Sequence, residues 1–325
     1  MELSIALNRY DRHVPFFNGT VTPPAGFSFR ALEVGESTPG RDGANRHGRM
    51  MDGLEFDVCE MSFSSFIVAV ARNPDLPLVG VPVFPRRLFS LGQMYVNVDA
   101  GIEEPKDLVG RKVGLHSFQT TLSVLAKGDL KLDYGVNWED IDWYTTRAET
   151  VPVKLKEGTS VQRIADNANI GTMLADGEID ALFSPHPPPT LLSRPDRYRR
   201  LFPDTRAEEQ RYYDWHGYFP IMHIMTLKRE LADAHPDLPR QIMTAWEEAK
   251  TLAYSYYDDT AYSLLAWGRD AFEGERALLG ADPWPSGFAA NVKNLDQFIA
   301  YEADQGLIED VYPAENLFHE SVRDT

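Results

Sequence analysis

The stretch FDVCEMSFSSF, residues 56–66, opens like a buried strand and then places an acid, Glu60, and three serines where an apolar helix begins. Serine oxygens at a helix start accept from the orphan N–H groups of the first turn. With the helix dipole they also bind carboxylate or phosphate oxygens. Capping alone accounts for one such serine. Ser62, Ser64 and Ser65 together point to an anion site. Arginine is the other residue of that chemistry, because its planar fork matches a carboxylate, and it recurs at Arg9, Arg12, Arg86 and Arg87. Arg86 and Arg87 could equally be a solvated pair, and Arg9 and Arg12 could pair with Asp11. Histidine supplies acid–base chemistry at neutral pH. His116, His186, His216 and His223 have neither zincin nor i, i+4 spacing, so a metal site would need them to converge in the fold. His223 lies between Met222 and Ile224, where a satisfied core histidine competes with a catalytic one.

These residues fall at the ends of expected strands. Short apolar runs at 3–7, 27–34, 56–58, 78–83, 112–115 and 141–144 alternate with helical stretches at 46–52, 63–71 and 119–126. That rhythm predicts α/β architecture with mostly parallel sheets. In such sheets ligands gather beyond the carboxyl ends of the strands. Tyr10 and Arg12 follow the first run, Glu60 and the serines the third, and Arg86 and Arg87 the fourth. His116 and Gln119 follow the run at 112–115, and His186 follows the strand expected near residue 182. From 237 onward the chain reads as helical, with Trp246, Ala249, Leu252 and Ala253 on one face. There is no P-loop, GxGxxG, GxSxG or CxxC motif.

The chain has 325 residues, room for about two domains at ~100–200 residues each. Its net charge of -17 argues against nucleic acid and anionic membrane surfaces as partners, while leaving a local cationic pocket for a small anion. The lone Cys59 forbids an intrachain disulfide and a cysteine zinc site. The opening MELSIALNRYDR lacks the features of a signal peptide, so the expectation is a soluble cytoplasmic protein. A homo-oligomer is left open.

The segments FDVCEMSFSSF, PVFPRRLF, MYVNVDAGIEEPKDLVGRKVGL, MLADGEIDALFSPHPP and GYFPIMHIMTLKREL, taken in order, resemble the 4,5-dihydroxyphthalate decarboxylase family. EMSFSSF with PVFPRR and FPIMH carries most of that resemblance. DLVGRKVGL and GEIDAL recur across the related type II periplasmic binding proteins. The resemblance implies two α/β lobes around a cleft, with residues 1–93 in the first lobe, 94–219 in the second, and 220–325 returning so that the C-terminal helices pack on the first. It also implies non-oxidative loss of one carboxylate from a hydroxylated aromatic diacid.

Such chemistry needs a held diacid, a base for a phenolic proton and a proton delivered to the ring carbon. The expected roles are Arg12, Arg86, Arg87, Ser62, Ser64 and Ser65 for the carboxylates, with Tyr10 and Gln119 beside them. His223 and His116 lead as acid and base, His186 stands third, and Glu60 orients a histidine. No organic cofactor is required; a divalent metal on histidines and Glu60 could polarise the phenol oxygens. Two other readings fit the fold: a solute-binding protein for a small organic acid, and an enzyme similar to the chorismate dehydratases.

Overall fold

The structure is a computed structural model and describes residues 1–35, 45–165 and 167–325. It divides into two compact units, one of Met1–Arg87, Ile221–Leu295 and Pro313–Thr325, the other of Leu88–Pro220 and Asp296–Tyr312. No helix among the described residues is long and apolar enough to cross a membrane.

The first unit opens with strands β1 (Glu2–Leu7), β2 (Ser28–Glu33), β3 (Val58–Ser62) and β4 (Leu78–Arg87). The second holds β5 (Met94–Asn97), β6 (Lys112–Leu115), β7 (Asp142–Thr145), β8 (Val161–Arg163), β9 (Ala181–Phe183) and β10 (Tyr198–Arg200). The chain then returns to the first unit as β11 (Ile221–Lys228). The first sheet has the order β2-β1-β3-β11-β4, and the second β10-β5-β9-β6-β7-β8. In the first sheet β1 runs parallel to β2 and β3, while β11 is antiparallel to both β3 and β4. The carboxyl ends of β1, β3 and β4 and the amino end of β11 therefore share one edge.

Two strands run further than their apolar cores suggest. β3 continues through Glu60 to Ser62, and β4 continues through Arg86 and Arg87, so these side chains sit on strands rather than in the loops after them. β4 carries Pro82 and Pro85, which lack an N–H, and it lies at the sheet edge where that lack is tolerated. The C-terminal segment covers part of this edge: Gly80 bridges to Phe318, and a Cβ on Gly80 would stand 2.7 Å from the Leu317 carbonyl oxygen.

The first core is built from Leu3, Ile5 and Leu7 of β1 and Val79, Val81 and Val83 of β4. Against them the helix Leu238–Tyr256 lays Leu238, Ile242, Ala245, Trp246 and Ala249, a helical 3–4 spacing. In the second unit, residues 296–312 bind in place through Tyr301 to Asp129 at 3.2 Å, Gln305 Nε2 to the Val124 carbonyl at 2.8 Å, and Trp138 Nε1 to Asp304 at 2.8 Å. These bonds group that segment with the second unit, where the sequence expectation kept the whole of 220–325 with the first.

Candidate active site

Glu60 is the centre of the shared edge in the first unit. It is fully buried, and both carboxylate oxygens are engaged. Oε1 lies 2.5 Å from His223 Nδ1; Oε2 accepts from the Asn8 backbone N–H at 2.9 Å and stands 3.3 Å from Arg46 Nη2. Arg46 is equally buried, and its Nε donates to the Glu60 carbonyl at 2.7 Å and its Nη1 to the Val34 carbonyl. Burial opposes ionisation of Glu60, yet Arg46 and then His223 outweigh it and hold the carboxyl well below its usual range.

The strand register explains the meeting with His223. On β11 His223 pairs with Ser62 of β3 on one side and Arg86 of β4 on the other, while Glu60 stands opposite Met225. Glu60 is thus the diagonal neighbour of His223 on one face, within reach of a long side chain. Burial takes the His223 imidazole down to about 4, against the upward pull of Glu60. A neutral ring that donates Nδ1–H to the carboxylate keeps its Nε2 lone pair as a base.

Two further histidines crowd this pair. The His47 ring meets that of His223 edge to face at 5.3 Å, and burial, with Arg46 and His223 beside it, holds its pKa well below the usual value. His13 places Nδ1 2.7 Å from the Asn8 carbonyl, and its Nε2 is buried with no hydrogen-bond partner among the described residues. Burial lowers it to about 4, although Glu60 pulls the other way. His13, Arg46 and His47 are absent from the sequence-derived site. His13 follows Arg12 directly and His47 follows Arg46, but no local spacing joins either to Glu60.

The expected carboxylate holders separate into different roles. Arg86 is half-buried, and its charge acts on His223, His47 and Tyr10. Arg87 is buried, donating to Asn291 Oδ1 at 2.5 Å and to the Pro285 carbonyl at 3.0 Å, so it ties β4 to the later segment of its own unit. Arg12 gives Nε to the Pro85 carbonyl at 2.6 Å and Nη1 to Asp11 at 3.1 Å, and stacks between the rings of Tyr10 and Trp284 at 4.2 and 4.3 Å. Tyr10 accepts from Asn8 Nδ2 at 2.9 Å, and burial, then Glu60, raises its pKa. Ser62 caps the helix Phe63–Arg72, its Oγ accepting from the Ser65 N–H at 3.5 Å. Ser64 and Ser65 are buried in that helix's first turn, and Cys59 is buried on β3.

The remaining expected residues belong to the second unit. Burial, with Arg147 and His186 adding to it, takes His116 down to about 4, and its Nδ1 is buried without a partner among the described residues. The backbone of His186 closes a tight turn, its N–H reaching Ser184 Oγ at 3.3 Å while that hydroxyl donates to its carbonyl at 2.7 Å. Gln119 is buried, with its amide exchanging two 3.0 Å hydrogen bonds with the Val151 backbone. That pairing holds a loop. Among the described residues no group of three or more His, Cys, Asp or Glu side chains is arranged to hold a metal ion.

No family model matches the chain. It is 33% identical over 327 residues to the 4,5-dihydroxyphthalate decarboxylase of Comamonas testosteroni, covering 98% of this chain and 96% of that one. The chain belongs to the 4,5-dihydroxyphthalate decarboxylase family. The enzyme of the same name from Pseudomonas putida is 30% identical over 219 residues, 66% of this chain and 81% of its own. Decarboxylases are carbon–carbon lyases, and the protein is a member of such an enzyme family. Among solved structures, the periplasmic aliphatic sulphonate binding protein SsuA from Escherichia coli superimposes with a TM-score of 0.57 at 14% identity, covering 98% of this chain and 92% of that one. The fold is therefore that of the periplasmic binding proteins, as the sequence resemblance implied.

Proposed function

We propose that the protein removes one carboxylate, without oxidation, from a hydroxylated aromatic acid of the 4,5-dihydroxyphthalate class, and that His223 is its base. The observation that carries this reading is the buried Glu60–His223 pair with Arg86 in register beside it. A pure binding site gains little from a neutral imidazole whose tautomer is set by an ionised carboxylate. A base for a phenolic proton needs that arrangement.

In this route Nε2 of His223 takes the proton of a ring hydroxyl para to the departing carboxylate. Glu60 stabilises the imidazolium that forms. The phenolate oxygen pushes an electron pair into the ring, and the carbon bearing the carboxylate takes up a proton, giving a dienone. An imidazolium whose pKa burial has lowered gives up its proton readily, and in this reading that proton goes to the ring carbon. The carbon–carbon bond then breaks, its electron pair restores the aromatic ring, and CO2 leaves. Arg86 supplies the local positive charge that an otherwise acidic chain needs to hold the anion. The electrons come from the phenolate itself, so the route calls on no organic cofactor.

The test is to incubate the protein with 4,5-dihydroxyphthalate and with analogues lacking the para hydroxyl. CO2 release and formation of 3,4-dihydroxybenzoate are followed. Turnover of the first and none of the analogues is expected. The binding-protein fold favours one competing reading, a solute-binding protein. Saturable binding of the diacid with no CO2 release would establish that reading instead.

A further inference from the structure

The first unit contains a cavity of about 330 Å³ that Glu60, His223 and Arg86 do not line. It lies against the end of the helix Leu238–Tyr256, the helix Gly268–Leu279 and Trp284. Its volume falls within the ~300–1,000 Å³ of small-molecule sites. The walls are aromatic: Tyr257 and Phe272 stack with centroids 5.0 Å apart at 9°, and Trp284 covers the Arg12 guanidinium.

The polar groups of the lining are mostly satisfied within the protein. Lys250 binds Asp282 at 2.6 Å and Glu247 at 2.8 Å. Asp11 is bonded by Arg12 and, at 2.8 Å, by the Tyr257 hydroxyl. Glu275 is exposed, and its charge, with that of Asp282, acts on Tyr254, whose hydroxyl burial keeps protonated. Two groups remain. Arg12 uses Nε and Nη1, and its Nη2 makes no hydrogen bond among the described residues. The Tyr254 hydroxyl is buried and has no partner among them either.

We infer that this cavity is a second ligand site, separate from the Glu60–His223 pair, which binds a planar aromatic monocarboxylate. The ring lies among Tyr257, Phe272 and Trp284, and the carboxylate takes hydrogen bonds from Arg12 Nη2 and the Tyr254 hydroxyl. The stacked, doubly anchored guanidinium is held in place before the ligand arrives, which lowers the ordering cost of binding. One open cationic edge serves one carboxylate; a second would be buried against aromatic walls without a partner. Loss of a carboxylate from a hydroxylated phthalate leaves such a monoacid, so the site would fill as product accumulates. That last link rests on the decarboxylase reading, whereas the binding does not.

The test is calorimetric titration of the full chain with benzoate. Binding in the range of ~0.1–1 mM is expected. Ala271→Trp, which fills the cavity from an exposed helix position, should weaken it by at least about tenfold, since the ring then has no space. Tyr254→Phe keeps the shape, removes only the hydroxyl, and should weaken it about threefold to tenfold. Arg86→Met, which is expected to weaken binding at the Glu60–His223 site, should leave it unchanged. A thermal melt checks that each variant is folded; if Ala271→Trp is not, Tyr254→Phe decides alone. Absence of benzoate binding to the unaltered chain would overturn the proposal. So would binding that survives both cavity variants, or binding that Arg86→Met abolishes.

Discussion

Glu60 Oε1 and His223 Nδ1 lie 2.5 Å apart on neighbouring antiparallel strands, the carboxylate fully buried and the imidazole almost so. The pairing sets which ring nitrogen carries the proton, and so which one is left to act. His223→Asn keeps a donor of similar size toward Glu60 but has no basic nitrogen. It should fold, bind the diacid nearly as well, and lose about 10²–10⁴-fold in turnover, the usual worth of general acid–base catalysis. Melting temperature and turnover measured on the same preparation separate this from a purely structural histidine. That alternative predicts a lower melting temperature with turnover per folded molecule intact.

Glu60→Gln should behave differently. It removes a carboxylate that pairs with the buried Arg46, whose guanidinium stands 3.3 Å away. Removing one member of a buried ion pair costs about 3–5 kcal/mol. Chemical denaturation should therefore show a large loss of stability in Glu60→Gln and a small one in His223→Asn. Equal losses would mean that Arg46 draws its compensation from elsewhere.

The neighbouring arginines should separate as clearly. Arg87→Met strips Asn291 Oδ1 and the Pro285 carbonyl of a donor, with a cost of about 1–3 kcal/mol. Its affinity for the diacid should be unchanged once the protein is folded. Arg86→Met should bind the diacid about 2–5 kcal/mol more weakly if the guanidinium pairs with a carboxylate away from water. Diacid affinity and melting temperature for the two single variants form the measurement. A melting loss in Arg86→Met with unchanged affinity would reverse the assignment.

These contrasts show why the sequence disclosed the fold more fully than the site. Apolar runs located most strands, and the motif resemblance supplied the family and with it the architecture. Glu60 and His223 could be singled out because each sits in a strand beside apolar neighbours, where a polar side chain stands out. His13, Arg46 and His47 could not, because only the packing of the Arg46–Gly53 helix and the turn after β1 brings them to Glu60. The same gap explains Gln119, Arg87, Ser64 and Ser65. Their types suit ligand binding, but Gln119 and Arg87 bind the protein's own backbone and side chains, and the two serines are buried inside a helix turn. Residue type states what a side chain can bond; burial and register determine what it meets.

The last prediction concerns stability against pH, where two groups of residues act in opposite directions. His13 and His223 are lowered to about 4 in the folded protein, from an unfolded value of about 6.5, and His47 is lowered well below it. Between those limits the unfolded chain binds more protons, so stability falls as pH drops from about 6.5 towards 4. Asp129 in the second unit is the reverse. Burial pushes its carboxyl up to about 8, although hydrogen bonds from Ser90, Tyr212 and Tyr301 favour the charged form. Above its unfolded value near 3.9 the folded chain keeps a proton that the unfolded chain has lost, so this contribution declines as pH rises towards 8. Asp129→Asn stays neutral in both states and should remove this decline over its whole span from about pH 4 to 8, flattening the slope above about 6.5 and steepening the histidine-driven loss below it. His13→Gln should lessen the acid-side loss and leave the alkaline side alone. Melting temperatures from pH 4 to 9 for the unaltered chain and both variants would show this. An alkaline slope that persists unchanged in Asp129→Asn would mean that the Asp129 carboxyl is ionised in the folded protein.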